Sequence, residues 1–464
     1  MTEPGGKRLR SLVPGVAIWR AAGRVAEATP ADRDRVVDLV RSASLTVVVF
    51  GHMLMAVVVW DDGTPRIRNL LDLVPSLRIL TWALQVMPLF FAAGAIANRG
   101  SWLAAHAGGM PWRVWFWARL RRLVRPVVPY LAAWIPLVLA LQALLPDAAA
   151  GLARLSTQLL WFLGVYVLVV ALTPLEVRLA RGGWRSVAGL LALAAVVDLG
   201  RFHLLEAIDL ANFVVVWVLA AVVGLVARDR AGETRSLLGL ALGAVVANVV
   251  LIRVGPYPLS MVGLPGERIS NMAPPTLVLA LHAVALIAAV GAARPALARV
   301  AARARVWHAV CAVGGVAMTL YLWHLTALVL VTIAEHELGL DRPTRIDIGF
   351  WFATLAHLVV LLVAVIVMVS IAAPLEYRPV PWLERVRPAA TDARWRLVVE
   401  IVGAVATAVG FLVLAGTGMR GFPFGRVTRY SGLRLTPGLG LALLVAGVLT
   451  ARAGGRETVD QSRA

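Results

Sequence analysis

The sequence predicts an all-α, polytopic transmembrane helical bundle of about twelve helices, and three observations predict it. Of 464 residues, 60% are hydrophobic and 15% charged, with a mean hydropathy of +0.80; soluble chains carry about 25% charged residues. The apolar residues gather into runs close to the length that crosses a bilayer, about 17 to 25 residues. The arginines fall between those runs, the distribution that orients a membrane protein.

In order, the runs occupy 36–60, 79–97, 126–145, 157–175, a shorter 186–200, 209–227, 236–252, 275–293, 307–333, 348–373, 397–416 and 435–451. They divide the chain into a basic cytoplasmic arm (1–35), a transmembrane core (36–373), a cytoplasmic linker (374–396), and two further helices with a short tail (397–464). The arm is expected to be a disordered tail or a short helix on anionic lipid. It lacks a compact apolar stretch ending in a small-residue cleavage site, so the first spanning helix is expected to remain as an anchor. Trp112, Trp115 and Trp117 alternate with Arg113, Arg119, Arg121, Arg122 and Arg125, as in a helix at headgroup level expected to lie along the cytoplasmic surface. Residues 253–275, broken by Pro256, Pro258, Pro265, Gly266, Pro274 and Pro275, predict an irregular outer loop. Its last two prolines suit the first turn of the next helix.

The net charge of +19 does not predict a nucleic-acid partner, because the cations form no basic domain. With the N-terminus in the cytoplasm of an inner-membrane protein, Lys7, Arg8 and Arg10, the cluster Arg113 to Arg125, and Arg294 to Arg305 all face inward, while Asp61, Asp62, Glu335 and Asp341 face outward. The loop 417–434, with Arg420, Arg426, Arg429 and Arg434, falls outside on a twelve-helix count; either it breaks the rule or the count is off by one. The single cysteine, Cys311, reads as a small apolar residue. The chain has no GxxxxGK[ST], HExxH or CxxC, so neither nucleotide hydrolysis nor a metal is expected.

Ionisable residues inside apolar runs are costly and mark functional sites by default. Arg41 and His52 lie eleven residues apart in the first run, about three helical turns, hence on one face and about 16 Å apart along the axis. Asp38 is expected to pair with Arg41, and a neutral His52 can accept a proton from a hydroxyl. The alternative is an ion pair at the interface with His52 as an interhelical hydrogen-bonder. Arg119, Arg122 and Arg125 suit a phosphate-rich ligand, or else signal orientation and touch lipid headgroups. Tyr321, Trp323 and His324 sit in the run 307–333, where His324 lies at a depth comparable to His52. The other histidines, His357 among them, read as loop or packing residues. In the loop, Glu267 and Asn271 are candidates for an outer acceptor gate, or parts of a structural cap.

Taken together, these segments resemble the integral-membrane acyltransferase 3 family. The resemblance rests on Asp38, Arg41 and His52; on Met87, Pro88, Leu89, Phe90, Phe91 and Gly94; on Arg122 and Arg125 followed by Pro126, Pro129 and Tyr130; and on Trp161, Phe162 and Leu163 with Tyr321, Trp323 and His324. It covers about 36–373 and leaves the last two helices outside. It implies an O-acyltransferase moving an acyl group from acyl-coenzyme A to a hydroxyl of a carbohydrate, glycolipid or other small acceptor, with no metal. In that reading Arg119, Arg122 and Arg125 hold the donor phosphates, Arg41 positions donor, and His52 is the base. His324 orients acceptor or stabilises the oxyanion, and Asp38, Glu267, Asn271 and Trp323 line the substrate site. The main competitor is a transporter of a lipid-linked or glycan substrate; it lacks the paired broken helices of inverted repeats. A non-catalytic membrane scaffold is a third reading.

Overall fold

The structure is a computed structural model that describes residues 15–454 apart from 62–63, 145, 205, 265, 344, 377, 385–394, 420, 426–427 and 431–432. Residues 1–14 of the expected arm, 385–394 of the linker, 455–464 of the tail, and Asp62, Arg420 and Arg426 lie outside the described residues. Among the described residues, ten helical segments are long and apolar enough to cross a membrane. An eleventh is counted if Leu277–Ala292 and Arg294–Ala301, bent by 62°, form one span, and Pro437–Ala453 is a shorter apolar helix. Two small hairpins are the only sheets described. The chain is a multi-pass, all-α membrane protein.

It divides into two compact units, one of Met1–Gly94 with Leu219–Leu375 and one of Ala95–Val218 with Glu376–Ala464.

In the first unit the arm carries a helix, Val16–Glu27. It packs on protein: Trp19 stacks on His308 at 4.0 Å, His308 Nε2 donates to the Trp19 carbonyl at 2.8 Å, and Trp307 Nε1 donates to Thr29 Oγ1 at 3.1 Å. The first spanning helix, Arg35–Met55, stops short of the expected residue 60. Val57, Val58, Val59 and Trp60 are β-favouring residues, and Ala56–Asp61 pairs antiparallel with Thr64–Asn69, Val58 opposite Ile67. Val57 seats this hairpin in a small core with Leu70 and Phe350. The run expected at 307–333 is two helices, Ala304–Gly315 and Ala317–Glu337, interrupted at Val316 after the pair Gly314 and Gly315. Glycine weakens a helix by about 1 kcal/mol per residue.

The proline-rich loop clasps the segment before the second spanning helix. Met261 N donates to Thr81 Oγ1 at 2.9 Å, Gln85 Nε2 to the Met261 carbonyl at 3.2 Å, and Trp82 Nε1 to the Leu259 carbonyl at 3.0 Å. Pro274 and Pro275 precede the cap residue Thr276, with the helix starting at Leu277, so they end the loop and not, as expected, begin the helix.

In the second unit, the arginine-rich helix Trp112–Val124, expected as an interfacial helix before the third span, runs on into the helix that follows it. With Val127–Leu144 it makes one segment of 33 residues, about 50 Å long against a hydrocarbon core of about 30 Å. Arg125 keeps helical backbone angles, and Pro126 falls at the junction, where a missing N–H costs little. Trp115 and Trp117 are buried; the Trp115 Nε1 donates to Ser101 Oγ at 3.1 Å.

Candidate active site

Within the first unit, four contacts fix how the helix Arg35–Met55 and its hairpin meet the stretch Ala304–Glu337. The Arg35 guanidinium lies 4.8 Å from the Trp307 ring, and the Ser42 hydroxyl donates to the Val310 carbonyl at 3.3 Å. His52 Nδ1 is 3.0 Å from His324 Nε2, and Trp60 stacks on His336 at 3.7 Å. The sequence separation is 268 residues in the Ser42 pair and 272 in the histidine pair, and the other two pairs keep nearly the same offset. Two stretches touching at constant offset run parallel and in register. The interruption at Val316 does not disturb that register.

The start of the first spanning helix is anchored by Asp34. Its carboxylate caps Val37 N at 3.3 Å and accepts from Arg294 at 2.6 Å and Arg228 at 3.0 Å, tying together the ends of three helical segments. Burial pushes the Asp34 carboxyl up, but hydrogen bonds and charge from Arg294, then Arg228, outweigh it and hold it below its ordinary value. A carboxyl lowered in the folded state stabilises above its unfolded value, about 4, and that stabilisation is lost as pH falls through the folded value. Asp34→Ala removes a cap and two charged hydrogen bonds, so it is expected to cost about 1–3 kcal/mol at pH 7 and to flatten the acid limb of stability. Apparent melting temperatures in detergent between pH 7 and pH 3 check this; a variant as stable as the parent at pH 7 sinks it.

The hydrogen bonds of the histidine pair determine which nitrogen is available. The Leu320 carbonyl can only accept, so His324 Nδ1, 3.0 Å away, carries the hydrogen and donates to it. A neutral His324 then offers its Nε2 lone pair to His52, whose Nδ1 must be the donor. His52 Nε2 is left with its lone pair and no partner among the described residues. The two rings are parallel within 1°, His324 is fully buried, and His52 is partly exposed. Seventeen residues separate Arg35 from His52, about 26 Å of helix, so the pair sits near the C-terminal end of the span.

Asp38 does not pair with Arg41 as expected. Arg33, just before the helix, takes both carboxylate oxygens, at 2.6 and 2.9 Å; a bidentate fork is the strongest arrangement open to a guanidinium and carboxylate. Arg41 instead lies 5.7 Å from the Phe90 ring, and its Nε is buried with no partner. Among the described residues its charge faces a ring rather than a carboxylate.

Other candidates are placed differently. Asn271 is fully buried and bonded within the loop: its Nδ2 donates to the carbonyls of Pro258 at 2.7 Å and Ser260 at 2.9 Å, and its Oδ1 accepts from Thr276 at 2.8 Å. These bonds hold the shape of the loop. Glu267 lies 3.5 Å from Arg78, with burial, partly offset by Arg78, raising its carboxyl. Trp323 is buried beside His324 in sequence. In the second unit, Arg125 donates to the Glu376 carbonyl at 2.9 Å and lies 3.6 Å from Glu384, Arg119 lies 5.7 Å from the Trp115 ring, and Arg122 is exposed. Sequence reading passed over His357, whose Nδ1 is 2.6 Å from Glu335 Oε2. The available signal was an ionisable residue inside the run 348–373.

A neutral imidazole held in one tautomer, with its outer lone pair open, is equipped to take a proton from a hydroxyl. No curated protein and no solved structure matches the chain. A family model described as an acyltransferase domain, Acyl_transf_3, matches residues 34–373 and takes in the Arg41 and His52 helix, the arginine cluster and the His324 helix. The chain belongs to this membrane acyltransferase family.

Proposed function

We propose that the protein is an O-acyltransferase that moves an acyl group from acyl-coenzyme A to a hydroxyl of a carbohydrate, glycolipid or other small acceptor, with His52 as the general base. The observation that carries this reading is the open lone pair on His52 Nε2, set by the His324 and Leu320 hydrogen bonds. Nε2 takes the acceptor proton as the hydroxyl oxygen attacks the thioester carbonyl carbon. The carbon–sulfur bond then breaks, and the leaving thiolate takes the proton back from His52. While His52 holds that proton, its Nδ1–H bond to His324 spreads positive charge over two rings. Arg41, lacking a carboxylate partner, offers its guanidinium to the donor's phosphate or thioester oxygen. Arg122, exposed at the end of its helix, is assigned to the phosphates of coenzyme A together with Arg119. Arg125, held by the Glu376 carbonyl and Glu384, steadies that segment.

Membership of an acyltransferase family does not favour the transporter reading. The N-terminus is assigned to the cytoplasm of the inner membrane, where acyl-coenzyme A is made, on the arginine distribution. The test is mass spectrometry of envelope glycans, lipids and secreted metabolites from cells with and without the protein. One acyl ester present only with the protein is expected; identical ester profiles would refute the reading.

A further inference from the structure

Beyond the histidine pair, the first unit buries a second set of ionisable side chains that the mechanism above does not use. His357 is 2% exposed, and its Nδ1 lies 2.6 Å from Glu335 Oε2. A carboxylate only accepts, so Nδ1 donates and the imidazole is oriented, as a base is by its carboxylate partner. Its other nitrogen, Nε2, is buried with no partner. Arg342 belongs to the connection between Ala317–Glu337 and Ile348–Glu376. Its described neighbours from Leu338 to Gly349 are exposed, yet Arg342 is turned inward and 9% exposed. One arm, Nη2, donates to the Ala56 carbonyl at 2.8 Å; Nη1 is buried with no partner. Glu335 faces both residues, bonding His357 and setting its charge against Arg342.

This set adjoins the His52 helix. Ala56 caps that helix, its N–H donating to the His52 carbonyl, so Arg342 is attached one turn, about 5–6 Å, beyond His52. Glu335 follows His324 by eleven residues on one helix, about 16 Å further along.

A buried polar atom without a partner costs about 1–3 kcal/mol, more when charged, and such atoms in a native structure call for an explanation. The two here are complementary when the imidazole carries its one hydrogen on Nδ1, toward Glu335: Arg342 Nη1 can only donate, and His357 Nε2 then accepts. A ligand satisfying both presents an oxygen acceptor and an O–H donor, which neighbouring hydroxyls of a sugar or polyol do. An ammonium group would meet the Arg342 guanidinium, and Glu335 already offsets that cation, so a second anion has little to gain.

We propose that Arg342, His357 and Glu335 form the acceptor-recognition site, and that it takes the uncharged hydroxyl face of a carbohydrate or polyol. The proposal rests on the acyltransferase reading above, and deepens it by naming the acceptor class. Arg342 and His357 touch acceptor; Glu335 is a positioning residue that acts through His357.

The test uses the full chain with Arg342→Met or His357→Phe, which remove the unpaired polar atoms while keeping side-chain bulk. Three quantities are read: envelope acyl esters in cells, the apparent melting temperature, and His52-dependent hydrolysis of acetyl-coenzyme A, the probe donor, without acceptor. Both variants are expected to lose at least tenfold in acyl ester, to melt at or above the parent temperature, and to hydrolyse the probe donor within threefold of parent. Undiminished ester in either variant overturns the proposal, and so does ester loss accompanied by lower melting temperature or lost donor hydrolysis, which marks a structural network. His52→Ala with full ester and full hydrolysis would instead defeat the underlying acyltransferase reading.

Discussion

His52→Ala is expected to lower acyl transfer by about 10²–10⁴-fold, the usual contribution of a positioned general base, with membrane insertion retained. The side chain makes one hydrogen bond, to His324, and is partly exposed, but its loss leaves the buried His324 Nε2 without that partner, so a fall in stability of about 1–3 kcal/mol accompanies the loss of rate. The tautomer argument sharpens the expectation. His324→Leu keeps His52 but removes the acceptor that pins its hydrogen on Nδ1, so the ring is free to carry the hydrogen on Nε2 and the base is present only part of the time. That variant should retain more activity than His52→Ala and lose the ability to share the transferred proton. Initial rates of ester formation at saturating donor separate the cases. Wild-type rates in His52→Ala would remove the base, and a His324→Leu enzyme indistinguishable from parent would remove the relay.

What was legible in the sequence, and what was not, follows from which forces leave a local mark. Burial in lipid marks every apolar run, so the spanning helices could be read directly. The end of the first could not: 56–60 is as apolar as the helix before it, and hydropathy does not separate a strand from a helix. The hairpin is decided by pairing with Thr64–Asn69, outside the run. The histidine contact joins residues 272 positions apart, and nothing near either residue encodes it. Asp38 was misassigned because helix spacing weighs only partners on the same helix, whereas Arg33 reaches it from before the helix start. The bonds of Asn271 were not legible for a similar reason: two of its partners are backbone carbonyls of the loop, and any residue supplies those.

One close helix packing lies outside the family match, and it carries the largest stability effect expected here. Gly403 and Gly410 are seven residues apart in the helix Trp395–Thr417, as are Gly440 and Gly447 in Pro437–Gly454. A seven-residue spacing returns to one helix face, and small residues there let two membrane helices approach backbone to backbone. A Cβ at Gly403 would press on Ala451, at Gly447 on Thr407, at Gly410 on Leu444, and at Gly440 on Leu414. Rising numbers on one helix meet falling numbers on the other, which is antiparallel packing in register. On a second face, a Cβ at Gly164 of the helix Leu160–Ala171 would fall 2.8 Å from the Ala408 carbonyl, so these terminal helices are built into the second unit. Gly410→Leu should therefore force backbones apart, since a Cβ there falls 2.7 Å from Leu444 Cα and 2.9 Å from the Gly440 carbonyl oxygen. Over-packing costs about 1–3 kcal/mol, and with backbone atoms as the obstacle the upper end is expected. Gly416→Leu is the control on the same helix, because nothing lies within 4 Å of a Cβ there. Exchanging an open helical glycine for leucine adds helix propensity, worth up to about 1 kcal/mol, so that variant should melt no lower than the parent. Equal melting temperatures for Gly410→Leu and the parent, or an equal fall for both variants, would show that the close approach does not hold these helices together.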